Sequence, residues 1–249
     1  MKKVLFLVLL VAAGTAGAVE IQWRGTISQD WTVAGNWNTG VVPTTADLAN
    51  INRTPGPLLA SGTISVGNIK VGGGTLVVSG ATLNTTSSWL ILGYDAGTTG
   101  DMTFNSGTIN TAGTMYVGFS GNGNLTMNGG TMNVNGARFG IAYNSSASIG
   151  HVYLNGGVIN ALDFSMAKNV GATATMDIKA GKLVITGDKS GILDTYIGNG
   201  WITGYGSAAN IRYDVGVTNA GKTTVWAVPE PATMCLLGFG ALGLIKRKS

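Results

Sequence analysis

The chain is poor in the residues from which most reactive sites and cross-linked scaffolds are made. Its 249 residues include one cysteine, one histidine, five prolines, and only 15 basic and 11 acidic side chains. A single cysteine closes no internal disulfide, and one cysteine with one histidine does not complete the usual ligand set of a zinc centre. Disulfide frameworks, paired-thiol redox chemistry and zinc catalysis are therefore poor readings, and no catalytic residue, metal or cofactor is expected. The formal charge of +4 belongs to the two ends. Between Val19 and Ala227, ten Lys and Arg face ten Asp and Glu, so the body is neutral and offers no concentrated basic face for nucleic acid.

Glycine is what the chain has in excess: 40 residues, about twice the usual share. There is no Gly-X-Y period, and a glycine inside a helix costs roughly 1 kcal/mol relative to alanine. An apolar fraction of 45% is enough for a core. Together these predict an all-β chain with many turns.

Both ends read as addresses. Lys2 and Lys3 precede an apolar run from Val4 to Ala13, and small residues close on Ala16-Gly17-Ala18. This is the pattern of a secretory signal helix, residues 1–18, with cleavage set by Ala16 and Ala18. At the other end, Pro229-Glu230-Pro231 leads into an apolar stretch from Met234 to Ile245 and then Lys246-Arg247-Lys248. The stretch from Ala232 to Ile245, at 1.5 Å per residue, reaches about 21 Å against a hydrocarbon core of about 30 Å, which makes a marginal transmembrane helix. The basic tail would stay cytoplasmic and everything before Pro229 would lie outside that membrane.

Residues 228–249 closely resemble the PEP-CTERM sorting signal of Gram-negative bacteria. The resemblance implies recognition by an exosortase near Pro229, Glu230 and Pro231, transient inner-membrane anchoring, and then release or surface attachment, often beside exopolysaccharide production. Export machinery and exosortase are the implied partners, with extracellular polysaccharide a further one.

The middle of the chain repeats. Phe104-Asn105-Ser106-Gly107-Thr108-Ile109-Asn110 recurs as Met127-Asn128-Gly129-Gly130-Thr131-Met132-Asn133 and as Leu154-Asn155-Gly156-Gly157-Val158-Ile159-Asn160. Weaker copies surround Gly80 and Gly181. The five aligned glycines are spaced 27, 23, 27 and 24 residues apart, a solenoid period. A second strip keeps phase with the first: Ile91-Leu92-Gly93-Tyr94, Tyr116-Val117-Gly118-Phe119, Ile141-Ala142-Tyr143, Met166-Ala167 and Tyr196-Ile197-Gly198. Apolar residues between the strips alternate at period two, as in strands with one buried face. Coils of such strands bury their inward residues against the next coil, which predicts a parallel β-helix over 61–227 with Asn105, Asn128, Asn155 and Asn110, Asn133, Asn160 in two columns. A β-sandwich is the alternative.

Residues 19–60 are expected to cap the open end. Trp31, Asn36-Trp37, Val42-Pro43, Asp47 and Ile51 resemble the N-terminal entry of bacterial surface proteins with autotransporter-like passenger repeats, and the indoles would cover the first coil. The segment 210–225 would close the far end.

Candidate chemistry is sparse. Asp163 and Asp188 follow Gly157 and Gly181 by six and seven residues and could meet in neighbouring coils as a calcium site or an acid/nucleophile pair. Gly113 and Gly136 hold the corresponding earlier positions, which reads as a turn column. His151 reads as an exposed strand-start residue, and Asp177 and Lys179 as outward solvating groups. The expectation is a non-enzymatic, exported structural or adhesive protein of the cell surface or matrix. The alternatives are a polysaccharide lyase or hydrolase, or a polysaccharide-binding module without turnover.

Overall fold

The computed structural model describes residues 18–230. The expected signal helix, with Ala16, and the expected transmembrane tail, with Pro231, lie outside the described residues. Among the described residues no helix is long and apolar enough to cross a membrane.

The chain winds as a parallel β-solenoid of about eight turns. At about 4.8 Å per turn, its body is a rod roughly 40 Å long. Each coil has three sides. On the first, Leu58–Leu59 and the earlier part of Thr75–Thr85 open a parallel stack that continues through the earlier part of Thr99–Thr111, Asn122–Met127, Ile149–Leu154, Thr173–Ile178 and Ile202–Gly204. On the second, Thr63–Val66, the later parts of Thr75–Thr85 and of Thr99–Thr111, then Thr131–Val134, Val158–Ala161 and Lys182–Thr186 follow the same order of coils. The third side holds seven strands, from Glu20–Gln22 and Leu48–Ile51 through Asn68–Val71, Trp89–Leu92, Thr114–Val117 and Phe139–Ile141 to Phe164–Met166.

Alternation decides which residues face inward. Met102, Leu125, Val152 and Met176 form one buried column and Phe104, Met127, Leu154 and Ile178 the next, each side chain lying on its equivalent in the following coil. Burying each such side chain contributes roughly 1.5–3 kcal/mol. Parallel pairing from coil to coil excludes the β-sandwich. Among the described residues, antiparallel pairing between strands is confined to the end, where Lys222–Ala227 joins Lys182–Thr186 and Ile211–Val215.

The repeated glycine makes the corner between the first and second sides. Gly130 and Gly157 have φ of +80° and +79°, and a Cβ on Gly157 would lie 2.5 Å from the carbonyl oxygen of Gly130. No other residue fits both the conformation and the contact. The two asparagine columns flank this corner as expected. Asn133 Nδ2 donates to Asn110 Oδ1 and Asn160 Nδ2 to Asn133 Oδ1, both at 2.9 Å, and Asn110 Nδ2 continues the ladder to Asn84 Oδ1. Asn128 donates to Asn105 at 2.8 Å and Asn155 to Asn128 at 3.0 Å.

Three indoles close the N-terminal end. Trp31 and Trp37 are joined there by Trp23, and Trp37 meets the other two edge-to-face at centroid distances of 5.1 and 4.8 Å. Asn36 is fully buried and satisfied, its Oδ1 accepting from the backbone N–H of Ile27 and Ser28. The capping segment also contributes coil strands, because Glu20–Gln22 and Leu48–Ile51 pair in parallel with each other and with Asn68–Val71.

One expected strand is a helix. Tyr196-Ile197-Gly198, expected to continue the second strip, lies in α1 (Ser190–Gly198). The chain leaves the coil at Gly187, with φ of +78°, and Asp188 Oδ1 accepts the N–H and hydroxyl of Ser190 to start the helix. Tyr196 then packs edge-on against Phe164, and its hydroxyl accepts the Met166 N–H at 3.2 Å. The helix thus satisfies part of the last strand edge on the third side, where another strand would otherwise be needed.

Candidate functional site

The outward surface of the coil differs from side to side. On the first and second sides it is mostly Asn, Thr and Ser, with Tyr153 the exposed aromatic residue of the first. On the third side five half-buried rings gather. Period two turns Ile91, Tyr116, Gly140 and Ser165 outward as one row in register. Tyr94, Phe119 and Tyr143 follow at the bend after each strand.

These rings form a continuous strip. Trp89 stacks on Tyr94 at 5.4 Å, Tyr94 on Phe119 at 5.8 Å, Phe119 packs on Tyr116 at 5.2 Å, and Tyr116 stacks on Tyr143 at 4.4 Å. Gly140 makes the last contact possible, since a Cβ there would come within 2.6 Å of the Tyr116 ring. Cations stand at both ends. Lys70 Nζ lies 5.3 Å from the Tyr94 centroid, while Lys168 Nζ and the Arg138 guanidinium lie 4.4 and 5.3 Å from that of Tyr143. Lys168 also donates to the Tyr143 hydroxyl at 3.0 Å, and this bond is the main reason the phenol is held below its ordinary pKa. Burial pushes the neighbouring Tyr116 phenol up.

Beyond Tyr143 the strip runs into a cleft of about 500 Å³ between the last third-side strand and α1, lined by Arg138, Asp163, Ser165, Asp188, Lys189 and Tyr196 among others. Arg138 Nε and Nη2 both approach Asp163 Oδ2 at 3.0 Å, and Lys189 Nζ holds Asp163 Oδ1 at 2.9 Å. Burial alone would raise the Asp163 pKa, but hydrogen bonds from Lys189 and Arg138 outweigh it and keep the carboxyl below the ordinary range. Arg138, partly desolvated but bonded to Asp163, is raised. Ser165 Oγ, in the cleft wall, is buried without a hydrogen-bond partner.

Asp163 and Asp188 therefore line one cleft, but not as an acid/nucleophile pair. Asp188 is lowered too, by the backbone N–H and then the hydroxyl of Ser190. Neither carboxyl is kept protonated to serve as the general acid that a retaining pair needs. Both Asp163 oxygens are also taken by cations, which opposes a calcium site. The column reading needs correction. Asp163 lies opposite Arg138 and not Gly136, since each immediately precedes one of the paired residues Phe139 and Phe164. Between the second and third sides the earlier coil has four residues, 135–138, and the later coil two, 162–163.

The remaining candidates are structural. His151 lies on the first side, outward, with Nδ1 2.7 Å from Thr175 Oγ1. Asp177 accepts from Thr203 and from the Gly206 N–H. Asp47 accepts the N–H and hydroxyl of Thr44. Among the described residues, no three of His, Cys, Asp and Glu gather as a metal site. Ala18 is exposed at the start of the described chain. Val228 N–H still bonds Asn210 O at 2.8 Å, after which Pro229 and Glu230 leave the end of the coil.

Comparison with curated proteins and with solved structures found no match. Residues 227–248 match a family model described as the PEP-CTERM protein-sorting motif. The chain thus carries a PEP-CTERM protein-sorting motif directly behind a β-solenoid body.

Proposed function

We propose that this protein is an exported, non-enzymatic rod that serves as a structural or adhesive component of the cell surface. The observation that carries the reading is the junction at Val228. The Val228 N–H bond to Asn210 O, made by the coil, falls at the first residues of the sorting motif, so the coil and the sorting segment are contiguous. Pro229 lacks a backbone N–H and restricts the residue before it to extended conformations, which suits a segment that a protease must grip. Tethering at that end sets the rod end-on, with the tryptophan cap farthest from the membrane and the three sides free along its length.

Intact-mass measurement in the native host tests this. The expected result is loss of the C-terminal segment near residues 229–231 from surface or medium material. In a chain lacking 229–249, export should persist and that processing should disappear. An unchanged C-terminal mass in exported full-length protein would refute sorting, and hydrolysis or elimination of any polysaccharide by the purified protein would refute the non-enzymatic reading.

A further inference from the structure

We propose that the third side is a binding surface for an acidic polysaccharide, with sugar rings lying along the aromatic strip and a carboxylate entering the cleft beside α1. The proposal deepens the surface-rod reading and rests on it. The interior does not require the strip, because Leu90, Leu92, Met115, Val117, Phe139 and Ile141 already fill the inward face of these strands. The outward rings add a long apolar patch to one side of an otherwise hydroxyl- and amide-covered coil, and such a patch marks an interaction surface.

Its form favours a chain of rings. The strip crosses consecutive coils at about 4.8 Å each, close to the length of one pyranose along its polymer. Aromatic rings meet the C–H faces and edges of sugars by apolar contact, while Tyr143 and Tyr116 add phenolic groups at the margin. Charge selects the class of sugar. In the cleft Arg138 and Lys189 balance Asp163 and Asp188, both cations being bonded to Asp163, and Lys168 beside Tyr143 adds the one net positive charge at this end. Lys168 touches Tyr143 and, among the described residues, forms no ion pair. Ser165 Oγ lacks a partner that a sugar hydroxyl or carboxylate could supply. One net positive charge is too little for the dense phosphates of a nucleic acid, but suits a polymer with one carboxylate per sugar.

Native gel electrophoresis of the exported protein through polygalacturonate, alginate or neutral dextran tests the idea, with a thymidine oligonucleotide as competitor. Retardation is expected in both acidic polymers and not in dextran, and it should weaken as salt is raised. Lys168→Gln should weaken it roughly tenfold, about 1.4 kcal/mol. Gly140→Ala, which displaces the Tyr116 ring, should weaken it also, while both variants keep the wild-type circular dichroism spectrum and C-terminal processing. Equal retardation in dextran, displacement by the oligonucleotide, unchanged binding in both variants, or no retardation at all would each overturn the proposal. Processing is read separately by mass, so failure of binding leaves the sorting result intact.

Discussion

Arg138 and Asp163 occupy one position in consecutive coils, and two guanidinium nitrogens approach the same carboxylate oxygen at 3.0 Å. Lys189, from the residue before α1, takes the other oxygen. The pair thus ties a regular coil to the helix that ends it.

Acid should loosen this tie first. Asp163 has a folded pKa below its ordinary value, so its stabilisation is complete above that ordinary value, near 4, and is lost as pH falls through the folded one. Urea melts at pH 7 and pH 3 should show a larger loss for wild type than for Asp163→Asn. An equal loss in both would mean that the cluster contributes nothing.

The asparagine ladder gives a positional prediction. Asn133 bonds to both neighbours, whereas Asn160 ends its column opposite Val184. Asn133→Ala leaves one amide and one carbonyl unpaired and should cost about 2 kcal/mol, with Asn160→Ala costing about half as much. Chemical denaturation of the two variants reads the difference, and equal costs would remove the ladder as the cause.

Gly157→Ala should be far more damaging. It combines a left-handed conformation with a contact of 2.5 Å to a backbone oxygen. Roughly 3 kcal/mol is expected from the two effects together. A melting temperature within a degree or so of wild type would show that the corner can move.

Ala167 offers the opposite change. The bend after each of the last four third-side strands has positive φ, at Gly93 and Gly118 but also at Ala142 and Ala167, the last with φ of +44°. Ala142 is fully buried, so its methyl also contributes packing, whereas Ala167 is only partly buried. Ala167→Gly should stabilise by about 0.5 kcal/mol, the relief of left-handed strain exceeding the added chain entropy. A destabilised variant would mean that the methyl's packing outweighs the strain.

The legible parts of the sequence were those where identity recurs at a fixed offset. Asn105, Asn128 and Asn155 announce a column because the segments between equivalent corners tolerate no change in the strand that follows. Arg138 and Asp163 were hidden by a two-residue difference in the preceding bend, which moves the alignment from Gly136 to Arg138. The helix was hidden for another reason: Tyr196-Ile197 imitates the apolar start of a third-side strand, and Gly191 and Gly198 weaken its helical appearance. The aromatic strip could be read only as separate residues. Tyr94, Phe119 and Tyr143 lie beyond their strands, so the way they turn depends on the bend and not on the period-two rule.

Each corner, column and bend is repeated in a form that engages only its predecessor and successor. Gene duplication of a segment such as Thr131 to Gly157 would therefore lift the outer tip by one step of about 4.8 Å without redesigning either terminus. Rod length becomes an inherited variable adjustable in whole increments, and copying a segment that carries Tyr143 would lengthen the aromatic strip along with it.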